Sequence, residues 1–174
     1  MQTTLETKRL ILRPVTMDDA QDLFEMDSNP KVHLYLGNNP IKSIDQSKAM
    51  IKDILSQYEK FRIGRFGVIE KITNEFLGWS GLKYERELRK EFNYYDLGYR
   101  LKEEFWGYGY ATESAIASLE FGFKDLKLKE ICAAADVDHI ASNTILKKIG
   151  MQPSGTFTCE ADSCNWYTLK NPYI

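Results

Sequence analysis

The stretch Trp106-Gly107-Tyr108-Gly109-Tyr110-Ala111-Thr112-Glu113 sets two glycines one residue apart, after a strand-like run (Tyr94 to Lys102) and at the start of a helix-like run (Ala111 to Lys124). A strand that turns through glycines into a helix leaves several backbone N–H groups unpaired and pointing one way. With the helix dipole behind them, such groups form a site for phosphate or pyrophosphate. Glycine suits the position because a side chain would block the phosphate and because glycine adopts positive φ without strain. The spacing predicts a phosphorylated cofactor on this loop. The competing reading is a tight turn with close helix–strand packing.

Of two familiar phosphate loops, one fails the comparison and the other matches only weakly. A P-loop needs a lysine after its last glycine and then Ser or Thr, whereas Tyr110 and Ala111 follow here. A dinucleotide fingerprint needs a third glycine or alanine, and Thr112 stands at that place.

The elements around the loop follow from periodicity. Arg9–Arg13 reads as a first strand, closed by Pro14. Thr16 with Asp19 forms a capping box for a helix that turns Ala20, Leu23 and Phe24 inward. Ser43 with Gln46 repeats that signature before a longer helix carrying Ile44, Ser47, Ile51, Leu55 and Tyr58 on one stripe. Phe66–Glu70 and Phe76–Tyr84 read as strands joined by a turn at Lys71–Glu75. The helix after the glycine loop is expected to bury Ala115, Ile116, Leu119 and Phe123. Glu130–Val137 reads as a short buried strand, and a helix from about Ile140 ends at Gly150. Strands near Thr156–Glu160 and Cys164–Leu169 close the chain as a hairpin; a loop at Ala161-Asp162 would set Cys159 opposite Cys164. The order β-α-α-β-β-β-α-β-α-β-β contains one strand–helix–strand crossover, so a parallel pair is expected inside an otherwise antiparallel sheet of about seven strands with about four helices.

The chain has 174 residues, read as one domain over 1–174, with 43% hydrophobic and 28% charged residues. A net charge of −2 argues against a general nucleic-acid binder. The polar first eight residues give no signal peptide, and no apolar run is long enough to cross a bilayer. Three cysteines without a Cys-x-x-Cys pair, and two distant histidines, His33 and His139, give no metal-ligand spacing. A cytoplasmic, metal-free protein with reduced thiols is expected; oligomeric state is not readable.

Several segments carry a resemblance. Trp106–Ala111 is similar to the acetyl-coenzyme A loop of the GNAT family of N-acetyltransferases, Gln/Arg-x-x-Gly-x-Gly/Ala, at its fourth and sixth positions, with Trp106 replacing Gln or Arg. The opening Leu5–Pro14 followed by Asp18-Asp19-Ala20, the segment Leu97-Gly98-Tyr99-Arg100-Leu101, the segment Ile140–Asn143 continuing to Lys147–Met151, and Trp166–Leu169 all resemble the ribosomal-protein N-terminal acetyltransferase branch. The element order above is also that of the GNAT fold, α/β in class. His139 occupies the place of a motif Asn, Met151 that of a Phe, and Leu146 that of a Tyr which many members use as an acid toward the leaving thiol.

The resemblance implies acetyl transfer from acetyl-CoA to a primary amine. It places an oxyanion donor at the Leu101 backbone N–H and the pyrophosphate on N–H groups from Trp106 through Gly107, Tyr108, Gly109, Tyr110 and Ala111 to Thr112, with His139 and Asn143 on the cofactor side. Two roles fit Asp96: the base that takes the amine's proton, or an ion-pair partner of Arg100 or a solvent-facing carboxylate. Two fit Ser142: a hydrogen-bond donor to the departing sulfur, or a serine satisfying helix N-terminal donors. His139 suits capping or cofactor contact better than catalysis. Trp79, Tyr84, Tyr94 and Tyr95 suit either an acceptor groove or core. The favoured acceptor is a protein N-terminal amine; a small amine such as a polyamine or amino sugar is the alternative, and a non-catalytic acyl-CoA-binding protein is the rival.

Overall fold

The computed structural model describes residues 3–174. Its strands are β1 (Leu5–Glu6), β2 (Leu10–Pro14), β3 (Arg65–Glu70), β4 (Phe76–Glu85), β5 (Tyr94–Leu101), β6 (Glu130–Asp136), β7 (Gln152–Cys159) and β8 (Asp162–Lys170). Its α-helices are α1 (Ala20–Asp27), α2 (Ile44–Phe61), α3 (Tyr110–Glu120) and α4 (Ile140–Lys148). The strands form one sheet in the order β1-β2-β3-β4-β5-β6-β8-β7, eight rather than about seven. The extra strand, β1, is two residues long, too short for alternation to reveal.

Both capping boxes form, at Thr16/Asp19 and Ser43/Gln46. They start α1, through a short 3₁₀ turn, and α2. These two helices cover one face of the sheet, where Leu23, Met26, Ile51 and Ile54 pack on Ile69, Phe76 and Trp79. Helices α3 and α4 cover the other face, where Ala115, Leu119 and Leu146 pack on Leu82, Leu97, Ile131 and Tyr167. Ile116 does not join them: it is 44% exposed, and Ser114 and Ser118 are buried in its stead. These small residues let α3 lie close on β4 and β5, with the Ser118 hydroxyl satisfied by the Ser114 carbonyl at 2.9 Å.

The closing hairpin turns one residue earlier than expected. Cys159 pairs with Asp162 and Phe157 with Cys164, so the loop is Glu160-Ala161. Glu160 adopts φ +57°, the left-handed conformation that this turn requires. Cys132, Cys159 and Cys164 are free thiols.

The single parallel contact is the feature on which the site depends. Among the described residues, β5 and β6 are paired in register only at Asp96↔Cys132. Beyond that point Leu97–Leu101 and Ala133–Asp136 diverge, while β5 stays paired to β4 and β6 to β8 along their outer edges.

The N-terminal segment braces the glycine loop against this frame. Glu113, in the first turn of α3, accepts bonds from the Thr7 hydroxyl (2.6 Å), the Arg9 backbone N–H (2.9 Å) and Arg9 Nε (2.7 Å). Arg9 Nη1 also donates to the Tyr108 carbonyl at 2.9 Å, and its guanidinium lies 4.4 Å from the Tyr110 ring centroid. Burial raises the Glu113 pKa, but the bonds from Thr7 and Arg9 outweigh it and hold the carboxyl below the ordinary glutamate range. A depressed folded-state pKa stabilises the fold above the unfolded value, about 4.3, and that contribution disappears as pH falls through the folded value. Glu113→Gln is therefore expected to cost about 1–2 kcal/mol at pH 7. The difference from the native chain should shrink in urea unfolding below about pH 4; a constant deficit would show that the charge is not what stabilises.

Candidate active site

The glycine loop has the conformation its composition predicts. Gly107 has φ +81° and Gly109 φ +80°, the latter as the N-cap of α3. A Cβ on Gly107 would meet nothing within 4 Å, and one on Gly109 only the tip of Arg9 at 3.4 Å. Tight packing is therefore not what selects glycine here; positive φ is, and the space above is open. The first bond of α3 runs from Glu113 N–H to the Gly109 carbonyl (3.0 Å), and no backbone N–H from Gly107 through Tyr108, Gly109, Tyr110 and Ala111 to Thr112 has a partner among the described residues. Such a run of free donors at a helix N-terminus is an anion nest, and the fit to a pyrophosphate is direct. The Trp106 N–H, expected in this cradle, is not in it: it donates to the Glu103 carbonyl at 3.1 Å in a 3₁₀ turn. The cradle begins at Gly107.

The gap between β5 and β6 opens beside this loop. Lys102 N–H bonds across to Leu77 on β4 (2.8 Å). Successive backbone groups of a strand point to opposite edges, so the Leu101 N–H points to the gap. The Leu101 carbonyl, on the same edge, accepts the Trp106 indole N–H at 2.9 Å. That bond fixes the indole at the end of the opening.

Asp96, Gly98 and Arg100 line the cleft together with Arg65 and Trp79. Asp96 pairs with neither Arg100 nor solvent: its Oδ2 accepts Arg65 Nη2 at 2.6 Å, and its carbonyl accepts Nη1 at 3.0 Å. Arg65 reaches it by crossing β5 over Gly98, where a Cβ would stand 2.8 Å from the guanidinium. Among the described residues Oδ1 has no partner. Burial raises the Asp96 pKa, with Arg65 opposing it. A carboxylate held above its usual range, with one oxygen free in a cleft, is suited to accepting a proton. Arg100 Nη1 donates to buried Asp27 on α1 at 2.7 Å, and Asp27 also faces His33 Nε2 at 3.2 Å. Both arginines lie over the Trp79 ring, at 4.9 and 5.2 Å. Trp79 thus belongs to the cleft, whereas Tyr94 packs on Cys132 and Trp166, and Tyr84 and Tyr95 on the core near Phe61.

On the opposite face of β5, Ser142 makes no cap bond to the backbone; its Oγ lies 3.1 Å from the Tyr99 hydroxyl. Asn143 is not available to a cofactor. Its Nδ2 donates to the Asp136 and His139 carbonyls (2.8 Å each), and its Oδ1 accepts Asn165 Nδ2 (2.8 Å) and Tyr167 OH (2.7 Å). His139 sits at the N-cap of α4 without a side-chain cap bond, its ring stacked on Tyr35 at 4.5 Å. Burial lowers its pKa, so it is neutral near pH 7. Sequence reasoning gave no role to Tyr99, Arg65 or Asp27, and it named Arg100 only as a partner for Asp96. Only Tyr99 carried a signal: alternation along β5 sends it to the face opposite Asp96.

A second cavity, of about 420 Å³, lies between the α1–α2 connection and the β7–β8 turn. Asp136, Asp138, Glu160 and Asp162 line it with Tyr35. None of these carboxylates forms an ion pair among the described residues.

Comparison with known proteins agrees with this geometry. Residues 9–152 match the family model described as an acetyltransferase (GNAT) domain. The uncharacterized N-acetyltransferase YoaA of Bacillus subtilis is 35% identical over 151 residues, covering 87% of this chain and 84% of YoaA. A GNAT-family acetyltransferase structure from Bacillus anthracis superposes with a TM-score of 0.81 at 23% identity, covering 97% and 99% of the two chains. The ribosomal L7/L12 alpha-N-protein acetyltransferase RimL, solved in complex with coenzyme A, superposes with a TM-score of 0.78 at 17% identity over 97% and 98%. With an anion nest, one splayed parallel pair and a family match over most of its length, the chain belongs to the GNAT family of acetyl-CoA-dependent N-acetyltransferases.

Proposed function

We propose that this enzyme acetylates a protein N-terminal amine by direct attack in a ternary complex. The run of unpartnered N–H groups from Gly107 to Thr112, set beside the splayed strands, carries this reading. The pyrophosphate of acetyl-CoA takes those donors, and the pantetheine arm lies between β5 and β6. The Leu101 N–H then serves the thioester oxygen. The amine attacks the acetyl carbon; a C–N bond forms, the C–S bond breaks with its electrons left on sulfur, the amine's proton passes to Asp96 Oδ1, and the Ser142 hydroxyl donates a hydrogen bond to the departing thiolate.

The acceptor's class is read from two supports. RimL, which shares the fold, acts by its name on a protein α-amine. The acid-lined cavity, which shares β6 and the α1–α2 connection with the transfer cleft, draws an amine that is cationic before it reacts. The same carboxylates favour a second reading, a small amine with more than one positive charge. Incubation with acetyl-CoA and a pool of N-terminal peptides, polyamines and amino sugars, read by mass spectrometry, is expected to give acetylated peptide α-amines. Product confined to small polyamines would replace the first reading with the second, and no product at all would remove both.

Gly109→Val places a branched side chain in the open cradle and forces it to φ +80°. The strain costs about 1–3 kcal/mol, which a domain stable by about 5–15 kcal/mol tolerates. Two charge-assisted bonds lost, at about 1.5–3 kcal/mol each, lower acetyl-CoA affinity by roughly a hundredfold or more. Calorimetry on the folded variant showing near-native affinity would dismiss the pyrophosphate site.

Asp96→Asn removes the proton acceptor, with an expected loss of about 10²–10⁴-fold, at the low end because an α-amine of pKa about 7.7–8.0 is partly neutral unaided. The deficit should shrink as pH rises and the amine loses its proton without help. A loss constant across pH would move the base to another group or an ordered water.

A further inference from the structure

The face of β5 opposite Asp96 carries a pair of hydroxyls that the transfer step has use for. Tyr99 and Ser142 both line the cleft, and their hydroxyl oxygens are 3.1 Å apart. The Tyr99 hydroxyl is also 3.2 Å from the Ser142 carbonyl. Ser142 comes from the first turn of α4 and Tyr99 from mid-strand. One turn along α4 from Ser142, Leu146 is buried and apolar, and it lines the cleft without offering a donor. Among the described side chains that line this face of the cleft, the hydroxyls of Tyr99 and Ser142 are the hydrogen-bond donors within reach of a sulfur.

Each hydroxyl has one hydrogen to give, and their mutual bond can run in either of two directions. In one, Tyr99 donates to the Ser142 carbonyl and Ser142 donates to the phenolic oxygen, which consumes both hydrogens inside the protein. In the other, Tyr99 donates to Ser142 Oγ, and Ser142's hydrogen is free to point into the cleft. A negative charge in the cleft favours the second arrangement, because it frees the Ser142 hydrogen for the cleft while the hydroxyl–hydroxyl bond is kept. Hydrogen bonds in a chain polarise one another, so a serine that accepts from a phenol is a better donor than a serine alone. Burial pushes the Tyr99 pKa up to about 12, while the bond with Ser142 opposes the shift. The phenol therefore keeps its proton throughout the working range and serves as a fixed donor. A thiol of ordinary pKa about 8.5 is the stronger acid of the two, so the pair stabilises a thiolate by hydrogen bonding without protonating it.

We propose that Tyr99 is a positioning residue for the leaving group: it donates to Ser142 Oγ and thereby directs the Ser142 hydrogen onto the sulfur as the C–S bond breaks. The bond electrons stay on sulfur as thiolate, which takes its proton from water after release. The inference rests on acetyl transfer as set out above, and it assigns to a strand tyrosine a role that neither residue spacing nor Ser142 alone supplies.

The product, coenzyme A, provides a readout apart from turnover. The pKa of its bound thiol is measured from the ultraviolet absorbance of the thiolate as pH is varied, in the native enzyme, Tyr99→Phe, Ser142→Ala and the double variant. Asp96 and Arg65, the charged pair on the other face of the gap, are unchanged in all four, so their influence cancels. Tyr99→Phe keeps the ring and its packing. The relay predicts that the bound thiol pKa rises by about one unit, tenfold in the thiolate equilibrium, in Tyr99→Phe and at least as far in Ser142→Ala. The double variant should go no further than Ser142→Ala. Coenzyme A affinity well below the thiol pKa should be unchanged, and kcat should fall by about tenfold or more with KM for acetyl-CoA held. A thiol pKa unmoved in Tyr99→Phe, a shift in one single variant only, or additive shifts in the double variant would each overturn the relay while leaving acetyl transfer standing. Failure of the native enzyme to bind coenzyme A would overturn both.

Discussion

A sheet that parts in its middle leaves backbone groups without partners, and this chain parts its sheet after one residue pair, Asp96↔Cys132. Unsatisfied N–H and C=O groups away from water are costly, so such a gap persists only if rigid neighbours hold both sides. The outer edges do this: β4 is in register with β5 from Glu85↔Tyr94 to Gly78↔Leu101, and β8 with β6 from Glu130 to Asp136. At the open end Asn143 joins three elements, taking up the Asp136 carbonyl of β6 and the His139 carbonyl before α4 while receiving Asn165 and Tyr167 of β8. Its role is to tie α4 to the β6–β8 side of the opening. On the other side the Trp106 indole satisfies the Leu101 carbonyl. What remains unpaired is the inner edge of β5 and the run Gly107–Thr112, and a ligand with an amide-bearing arm and a pyrophosphate complements both.

Charge inside the cleft is arranged around one aromatic ring. Arg65 and Arg100 both lie over Trp79, and each reaches a different buried carboxylate, Asp96 and Asp27. A buried ion pair gives little net stability, but removing one partner strands the other at a cost of about 3–5 kcal/mol. The pairs therefore act more as locators than as stabilisers. Gly98 is the residue that permits the arrangement, since any side chain there would collide with Arg65. Asp96 is left with one oxygen paired and one open, a state neither fully quenched nor solvated.

The parts legible in the sequence were those governed by local rules. Two capping boxes, the glycine-rich strand–helix junction and the crossover that forces a parallel pair all rest on residues near one another in the chain, and all three appear as read. What escaped depends on distant partners. Nothing near Asp96 announces Arg65, thirty-one residues away, and Asn143 looks free until β8 is folded beside it. The hairpin register failed by one turn position because Glu160 takes a left-handed conformation that an acidic residue does not advertise. Ile116 failed for a different reason: close packing of α3 on the sheet selects Ser114 and Ser118, so size outweighed hydrophobicity.

Alternation along β5 then divides the proposed chemistry by itself. Asp96, Gly98 and Arg100 project to the face covered by α1 and α2, where the carboxylate Asp136 of the acid-lined cavity also lies; Leu97, Tyr99 and Leu101 project to the face covered by α3 and α4, where Ser142 stands. A thioester lying in the gap meets a proton acceptor on one side of the sheet and hydroxyl donors on the other. Opposed placement suits the reaction, because the amine loses its proton on the side from which it attacks while charge develops on sulfur at the far side. Were base and donor on one face, Asp96 would accept the serine's hydrogen and quench both. The period of two that any strand possesses is thus enough to keep them apart, provided the strand is left unpaired along one edge.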